Sequence, residues 1–547
     1  MPKLTRYFLS FFVLCLSTIL TMPVYAADIT VNSSCSLADA INAANSDAAT
    51  GGCLAGSGAD AITLTGNFTL DSPLPEIESE VTIEGNGYTI SGNKQHQIFW
   101  VKETGTLTIL NVTLADGRGV DDDDLYDDDV LIGGAIMNWG ILTVSDSIFT
   151  GNSADWGGAT FNDDRASLNV SNSTFNSNSA VRGGAIYYAG EKSLRISSSN
   201  FTGNSASLGG TVYKSGAASL SISSSNFAGN SASRGGAIFS AGDASVGISE
   251  SNFSDNSASA SGGAIYTGGG AILSISASDF SKNSAWFNGG AVFNNEEANI
   301  VESSFANNTA DSEGGAVFSN TRDTITISRC RFSGNVAGEK GGALHSGGAS
   351  INGSSFTANS AELSGGAIVI WVKAHISDST FLDNSAVEED GGAIHSRGDI
   401  SIGRSNFKGN SAGDEGGAIR STEDSEVDVS LGFFRDNSAE DGGAIYSWGE
   451  LSVSRSTFIN NSAEEEGGAI ANHGIASINA SILADNFGGD CHLGRKGELL
   501  ESGDNHISDG SCGATWSGHI SDGYCPPGQE RDGVCQIGAL ELASADD

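Results

Sequence analysis

The sequence predicts an all-β fold, a right-handed, single-stranded parallel β-helix of about 15 to 17 coils. Three observations predict it. The motif Phe-x-x-Asn recurs every 24 to 27 residues, a Gly-Gly pair follows each of these phenylalanines by eight to ten residues, and the segments between them alternate apolar with small polar residues. A repeat of this length indicates a solenoid, in which each unit buries its apolar face against its neighbours.

The local period identifies the type of solenoid. Segments such as "SLRISSSNF" and "DTITISRCRF" have the two-residue period of strands, and each unit is too short for a helix plus several strands. Coils about 4.8 Å apart would form a rod on the order of 75 Å long. The repeated phenylalanines are Phe149, Phe175, Phe201, Phe227, Phe253, Phe280, Phe305, Phe332, Phe356, Phe381, Phe407, Phe434 and Phe458.

Each recurring position has a packing reason. The phenylalanines are expected to stack inside the coil, and the asparagines to form a ladder of amide hydrogen bonds along the axis. Gly-Gly fits a corner that side chains would obstruct. The aliphatic residue after Gly-Gly-Ala is expected to point inward, as at Ile186, Val212, Ile238, Ile265 and Val292.

The two ends differ from the repeats. Residues 1–26 have the basic start, apolar run and small residues before the cleavage site of a secretory signal peptide. The following segments are a cap at 27–61, irregular first coils with an acidic insert at 62–132, the repetitive β-helix at 133–487, and a cysteine-containing cap and tail at 488–547.

The N-terminal cap is predicted to contain a short amphipathic helix. Leu37, Ala40, Ile41 and Ala44 have helical spacing, and Ser36 precedes Asp39 as in a capping box. Such caps cover the open strand edges at the ends of a solenoid.

Charge and cysteines limit the partners. The formal charge of −40 becomes −42 once Lys3 and Arg6 leave with the signal, and a polyanion of this kind argues against nucleic acid. No transmembrane segment is expected after signal cleavage. Export favours disulfides, and Cys330 is left as a buried small apolar residue. The disulfide candidates are Cys35 with Cys53 and a terminal cluster of Cys491, Cys512, Cys525 and Cys535.

The alternation of Gly-Gly-Ala-Ile with Phe-x-x-Asn over residues 133–470 resembles the repeats of polymorphic outer membrane proteins. The stretch "CSLADAINAAN" resembles the Cys-Ser-Leu-Arg-Glu-Ala motif of secreted bacterial β-helix proteins, with Ala38 and Asp39 in place of Arg and Glu. The resemblance implies a pectin-lyase-like parallel β-helix that is secreted or displayed at the cell envelope. Polymorphic proteins end in a membrane β-barrel, which the segment ending "IGALELASADD" does not resemble, so release and loose attachment to the envelope both stay open.

One candidate binding feature is the residue after the inward aliphatic. Alternation places it outside the coil, where a line of rings could stack on a polysaccharide or contact a surface protein. The alternative is that the rings cover each other and a neighbouring turn. The column consists of Phe161, Tyr187, Tyr213, Phe239, Tyr266, Phe293 and Phe318, followed by His345 and later by His395 and Tyr446.

A second candidate is the acidic turn before Gly-Gly in the later coils. Stacked carboxylates repel one another and would favour a bound cation such as calcium, whereas the alternative is a solvated edge. The residues are Glu388, Glu389, Asp390, Asp414, Glu415, Glu440, Asp441, Glu464, Glu465 and Glu466. The insert "DDDDLYDDD" at Asp121–Asp129 lacks the spacing of a calcium loop and is expected to be disordered.

These observations predict an exported, non-catalytic binding rod, adhesin-like, secreted or associated with the outer membrane or cell envelope. No cofactor is expected apart from the calcium considered above. The alternative is a carbohydrate-active β-helix enzyme, a lyase or glycoside hydrolase, acting on acidic polysaccharide. Fold alone does not confer catalysis, and the scattered Lys and Arg residues form no recognisable set with aspartates in the sequence.

Overall fold

The computed structural model describes residues 27–121, 130–494, 497–502, 505–513, 530–531 and 534–535. In them the chain winds into a right-handed parallel β-solenoid of about 16 turns, which confirms the predicted fold class. Corresponding strands of successive turns pair in parallel and form four faces. The predicted signal peptide, residues 122–129 of the acidic insert and Cys525 lie outside the described residues.

Face 1 consists of the strands that follow the Gly-Gly pairs, together with Phe99–Val101, which pairs with the first of them. They are Phe99–Val101, Ile136–Asn138, Thr160–Asn162, Ile186–Tyr188, Val212–Lys214, Ile238–Ser240, Ile265–Thr267, Val292–Asn294, Ile394–Ser396, Ile419–Ser421, Ile445–Ser447, Ile470–Asn472 and Cys491–Leu493. In three turns one strand serves both face 1 and face 2: Val317–Ser328, Leu344–Asn352 and Ile368–Ser377.

Face 2 continues each turn with alternating apolar and small polar residues. Its strands are Asp28–Thr30, Asp60–Thr63, Glu80–Glu84, Thr106–Leu110, Ile141–Ser145, Ser167–Ser171, Leu194–Ser197, Leu220–Ser223, Val246–Ser249, Leu273–Ser276, Ala298–Val301, Asp399–Gly403, Glu426–Ser430, Glu450–Ser454, Ile475–Asn479 and Glu498–Ser502.

Face 3 carries the repeated phenylalanines. Its strands are Phe68–Thr69, Thr89–Ser91, Thr113–Ala115, Ile148–Thr150, Thr174–Asn176, Asn200–Thr202, Asn226–Ala228, Asn252–Ser254, Asp279–Ser281, Ser304–Ala306, Arg331–Ser333, Ser355–Thr357, Thr380–Leu382, Asn406–Lys408, Phe433–Arg435, Thr457–Ile459, Ile482–Ala484 and His506–Ile507.

Face 4 is short and precedes the Gly-Gly corner. Its strands are Ser231–Arg234, Ser257–Ser261, Ser284–Ala285, Thr309–Ala310, Val336–Ala337, Ser360–Ala361, Ser385–Ala386, Ser411–Ala412, Ser438–Ala439 and Ser462–Ala463. Two antiparallel pairs stand apart from the four faces, Val120–Asp121 with Leu131–Ile132 and Glu530–Arg531 with Val534–Cys535.

The predicted ladders fill the interior. All thirteen repeated phenylalanines are fully buried, and adjacent rings from Phe149 to Phe458 have centroids 4.5–5.0 Å apart. The asparagine three residues later is also fully buried. In the turn of Asn230, for example, Nδ2 donates to Asn256 Oδ1 of the next turn at 3.0 Å and to the Phe201 carbonyl at 3.0 Å. Both ladder predictions are confirmed.

The Gly-Gly corner has the predicted steric cause. Gly235 has a left-handed backbone, with φ of 62°, which L side chains rarely adopt. A Cβ on Gly236 would lie 2.1 Å from the carbonyl oxygen of Gly263 in the next turn. Side chains are therefore excluded from both positions.

The N-terminal cap has the predicted form. The helix Leu37–Ser46 begins after Ser36, whose hydroxyl accepts a hydrogen bond from the Asp39 amide. Its buried side contains Leu37, Ala40, Ile41, Ala43 and Ala44. A disulfide joins Cys35 to Cys53, as proposed, and a second joins Cys491 to Cys512 of the terminal cluster, whose pairing the sequence left open. Cys330 is buried and free, as expected. The side chain of Cys535 lies outside the described residues.

One interior position departs from the pattern. Lys214 is fully buried between Tyr188 and Ser240 of the neighbouring turns, and its amine donates to the carbonyl of Gly216 at 3.0 Å. Burial lowers the pKa of this amine from 10.5 to about 8, although Asp243 opposes the shift. The charged amine therefore destabilises the folded state at neutral pH.

Replacing Lys214 by Met should raise the free energy of unfolding at pH 7 by about 2 kcal/mol, because it removes a buried charge and Gly216 can accept from water. The unfolded wild-type chain binds more protons than the folded chain between pH 8 and 10.5. The wild type therefore gains stability through that window and the variant does not. Urea unfolding at pH 7 and pH 10 should show the gap between the two proteins closing, and a constant gap would contradict the assignment.

Candidate functional site: the outer groove of face 1

Face 1 carries large side chains on its outer surface, where they form the floor of a groove. We call this the floor column; its members occupy the same register position in successive turns. The column consists of Met137, Phe161, Tyr187, Tyr213, Phe239, Tyr266, Phe293, Phe318, His345, Val369, His395, Arg420, Tyr446, Ala471 and His492. At two clefts on this face, one wall is the turn before Gly-Gly and the other is the turn between faces 1 and 2.

The aromatic part of the floor column includes the seven predicted binding residues. They lie outside the coil interior and form a stack of their own, with ring centroids 4.6–5.3 Å apart from Phe161 to Phe318. The rings are largely buried, since Tyr187 is 7% and Tyr213 8% exposed, and Tyr266 is intermediate. The rings lie outside the coil as predicted, but they are arranged as in the alternative, in which they cover each other and a neighbouring turn. Their faces contact each other, and a binding role for them stays a prediction.

The wall before Gly-Gly accounts for this burial. Trp156 stacks on Tyr187 with a centroid distance of 5.2 Å, and the guanidinium of Arg182 lies 5.7 Å from the ring of Tyr213. Arg234 covers Tyr266 in the same way, also at 5.7 Å. Tyr187, Tyr213 and Tyr266 all keep some exposed surface, so a small part of each side chain remains accessible.

The later part of the floor column is polar and paired with the acidic wall. Arg420 Nε lies 3.2 Å from Asp390 Oδ2 and 3.1 Å from Glu415 Oε2. His395 Nδ1 lies 3.7 Å from Asp390 Oδ2, and His345 Nδ1 lies 3.4 Å from Glu313 Oε2. Arg420–Asp390 and His345–Glu313 therefore join adjacent turns, whereas Arg420–Glu415 and His395–Asp390 each lie within one turn.

Burial shifts the titration of these groups. The pKa of His345 and of His395 falls to about 3, chiefly because burial disfavours the charged imidazole, with nearby cations adding to the effect. The pKa of Asp390 rises to about 6, because burial outweighs the attraction of Arg420. Burial also raises the pKa of Glu313. Both histidines are therefore neutral at pH 7, and Asp390 exchanges its proton near neutral pH.

Sequence reasoning missed this network. It assigned Asp390 and Glu415 to a calcium edge and found no set of acids and bases, because two of the pairs, Arg420–Asp390 and His345–Glu313, join different repeats. The available signal was the replacement of rings by His345, His395 and Arg420 in coils whose preceding turns are acidic.

The remaining acids of the predicted calcium edge lie along the exposed wall. The pKa of Glu440 is raised, first by the like charge of Glu465 and then by that of Asp414. Among the described residues, no group of three or more His, Cys, Asp or Glu side chains is placed to hold a metal ion. Calcium binding at this edge stays a prediction.

Calcium at millimolar concentration should raise the melting temperature above that in sodium chloride of matched ionic strength. Folding brings the carboxylates of Glu440 and Glu465 together, so a cation that binds only the folded state adds stability. Thermal unfolding with and without a chelator measures the effect. Equal melting temperatures in the two salts would leave the acids as a screened, solvated edge.

Two family models match parts of the chain. Residues 184–361 match the right-handed beta helix region, and residues 172–189 and 455–473 match the Chlamydia polymorphic membrane protein repeat. The chain carries polymorphic membrane protein repeats. The resemblance read from Gly-Gly-Ala-Ile and Phe-x-x-Asn is confirmed, whereas the signal peptide and the Cys-Ser-Leu-Arg-Glu-Ala-like motif stay predictions. No curated protein and no solved structure matches the chain.

The polymorphic membrane protein repeats suggest a surface-exposed, adhesin-like protein located at the outer membrane or cell surface. They also suggest a non-enzymatic role, although β-helices occur in enzymes as well. Within the described residues, no helix has the length and hydrophobicity that crossing a bilayer requires.

Proposed function

We propose that the chain is an exported, non-catalytic β-helix rod that acts as an adhesin-like binding protein for a polysaccharide or a surface protein. The observation that carries the proposal is the groove of face 1. The outer residues of face 2 are mostly small and polar, as in "SLSIS" at 219–223, whereas face 1 presents rings, imidazoles and ion pairs along its length. A long groove with ring edges on its floor suits an extended ligand.

The rings of the floor column would contact such a ligand by their edges and hydroxyls, since their faces are occupied. Phe161, Phe239 and Phe293 occupy equivalent positions, so the stack accepts either residue type. Changing Tyr187, Tyr213 and Tyr266 together to Phe therefore removes only the hydroxyls. The triple variant separates a binding role from a packing role, whereas substitution by Ser would also remove the stack.

A glycan array combined with pull-down of intact envelope proteins tests the proposal. We expect the wild-type protein to bind a defined glycan or protein. We expect the triple Phe variant to bind it less well while its circular dichroism and melting temperature stay unchanged. Absence of any ligand in both assays would refute the binding function. Unchanged binding by the triple variant would show that the tyrosine hydroxyls of the floor column do not contribute to binding.

One observation favours a second candidate, a carbohydrate-active enzyme on acidic polysaccharide. Asp390, with a pKa of about 6, lies against Arg420 in the groove, which places a proton-exchanging carboxyl beside a cation. Depolymerisation of acidic polysaccharides, followed by reducing ends and by absorbance of unsaturated products, tests it. Activity that disappears in Asp390→Asn would support the enzyme, and its absence in the wild type would support the rod.

A further inference from the structure

A cleft of about 520 Å³ opens where the aromatic part of the floor column ends. It combines the exposed indole of Trp371 with a carboxylate and a guanidinium. Its lining includes Glu313, Phe318, Ser319, Arg322, His345 and Trp371. Phe318 and His345 belong to the floor column, and Glu313 lies in the turn before Gly-Gly.

Three turns of unequal length border the cleft. Ser319, Ser346 and Ile370 are in register, and the register shifts directly after them, so residues 320–323, 347 and 371–372 lie side by side in successive turns. Gly347 has no side chain, and a Cβ there would lie 2.2 Å from the carbonyl oxygen of Thr321. The backbone of Thr321 therefore packs against Gly347, and this turn places no side chain beside Trp371.

Contacts with His345 and Arg397 fix the orientation of the Trp371 indole, which we call the platform. Its Nε1–H donates to Nε2 of His345, and the two ring planes are 9° apart with centroids 5.8 Å apart. The guanidinium of Arg397, from the following turn, lies 4.1 Å from the indole centroid and covers one face. The side chain remains 40% exposed and lines the cleft, so its other face is available to a ligand.

Unpaired polar atoms adjoin the platform. Because Nε2 of His345 accepts from Trp371, the hydrogen of this neutral imidazole is on Nδ1. His345 is only 4% exposed, and within the described residues neither its Nδ1 nor the buried Oγ of Ser319 has a hydrogen-bond partner. Glu313 Oε2 lies 3.4 Å from Nδ1. Both unpaired atoms are buried, so a ligand in the cleft reaches the partly exposed Glu313 carboxylate instead.

We propose that this cleft binds one hexopyranose unit of a glycan, stacked on Trp371 and hydrogen-bonded by its hydroxyls to Glu313. A sugar ring has an apolar C–H face for the indole and hydroxyls that both donate and accept. The carboxylate of Glu313 accepts hydrogen bonds from these hydroxyls. The inference rests on the binding function proposed above and names its saccharide subsite.

Calorimetric titration of the full chain with cellohexaose, chitohexaose and hexagalacturonate tests the subsite. For the oligosaccharide that binds, Trp371→Ala should weaken the affinity about tenfold, equivalent to roughly 1.4 kcal/mol. Trp371→Phe should retain part of the affinity. The matched control is Trp448→Ala, which removes an equally exposed indole from a later turn and should change the affinity less than about twofold.

The outcomes separate the subsite from the function. Equal binding by wild type and Trp371→Ala, or an equal loss in Trp448→Ala, would overturn the subsite and leave a glycan-binding rod. Binding of a protein but of no glycan would overturn the subsite alone. Absence of both kinds of ligand would overturn the subsite and the proposed function together. Glu313→Gln keeps the shape of the cleft and should also weaken binding. This second variant tests the subsite even if Trp371→Ala fails to fold.

Discussion

Replacing Phe227 by Ala is expected to destabilise its part of the solenoid by about 3 to 5 kcal/mol. The ring is fully buried and stacks between Phe201 and Phe253, each with its centroid 4.7 Å away. Its removal leaves a cavity that the backbone cannot close, because the turns on both sides are fixed by parallel strand pairing. The stacking lost with both neighbours adds to the cost of the cavity.

Hydrogen exchange resolved by peptide is the measurement for Phe227→Ala. Protection should fall in the turns of Phe201, Phe227 and Phe253 and hold in the turn of Phe407, since a solenoid couples mainly to its nearest neighbours. Phe227→Leu leaves a smaller cavity and should cost less. A uniform loss of protection along the rod would contradict nearest-neighbour coupling, and a neutral substitution would contradict the core assignment.

Replacing Asn230 by Ala is expected to cost about 4 kcal/mol, although the side chain contributes little apolar area. Asn230 Nδ2 donates to the Phe201 carbonyl and to Asn256 Oδ1. Its Oδ1 accepts from the backbone N–H and from Nδ2 of Asn204, at 3.0 and 3.1 Å. The substitution breaks the ladder in both directions and leaves buried donors and acceptors unpaired, which costs more than the bonds themselves contribute.

The matched control is Asn200→Ala, which removes the same amide from an exposed position of face 3 and should change stability by less than about 0.5 kcal/mol. Denaturant unfolding of both variants, with hydrogen exchange at Asn204 and Asn256, measures the contrast. Similar losses of unfolding free energy in the two variants would show that an asparagine in the ladder stabilises the fold no more than an exposed asparagine does.

The interior was predictable because every repeated residue stacks on its own copy. Phe227 meets Phe201 and Phe253, and Asn230 meets Asn204 and Asn256, so one unit of the repeat contains all the information about its neighbours. The cap was predictable for a similar reason, since the Ser36 cap and the apolar side of the helix are local. Contacts that are local or identical from turn to turn can be read from spacing alone.

The outer groove was less predictable because its contacts join unlike positions. Alternation correctly placed Tyr187 outside the coil, but its burial depends on Trp156, which belongs to a different column. Arg420 pairs with Asp390 of the preceding turn as well as with Glu415 of its own turn. Such pairings depend on how far each turn extends over face 1. This extension differs from coil to coil because the repeats vary in length from 24 to 27 residues.

The sequence by itself therefore determined the solenoid, its two internal ladders, its glycine corners and its capped N-terminal end. These features follow from period, side-chain volume and backbone freedom at each position. Only the tertiary structure decided that the rings face one another, that the later acids pair with His395 and Arg420, and that Trp371 and His345 border a cleft above Gly347. The physical reason is that lateral contacts between different columns depend on the three-dimensional course of the turns, which the repeat pattern does not encode.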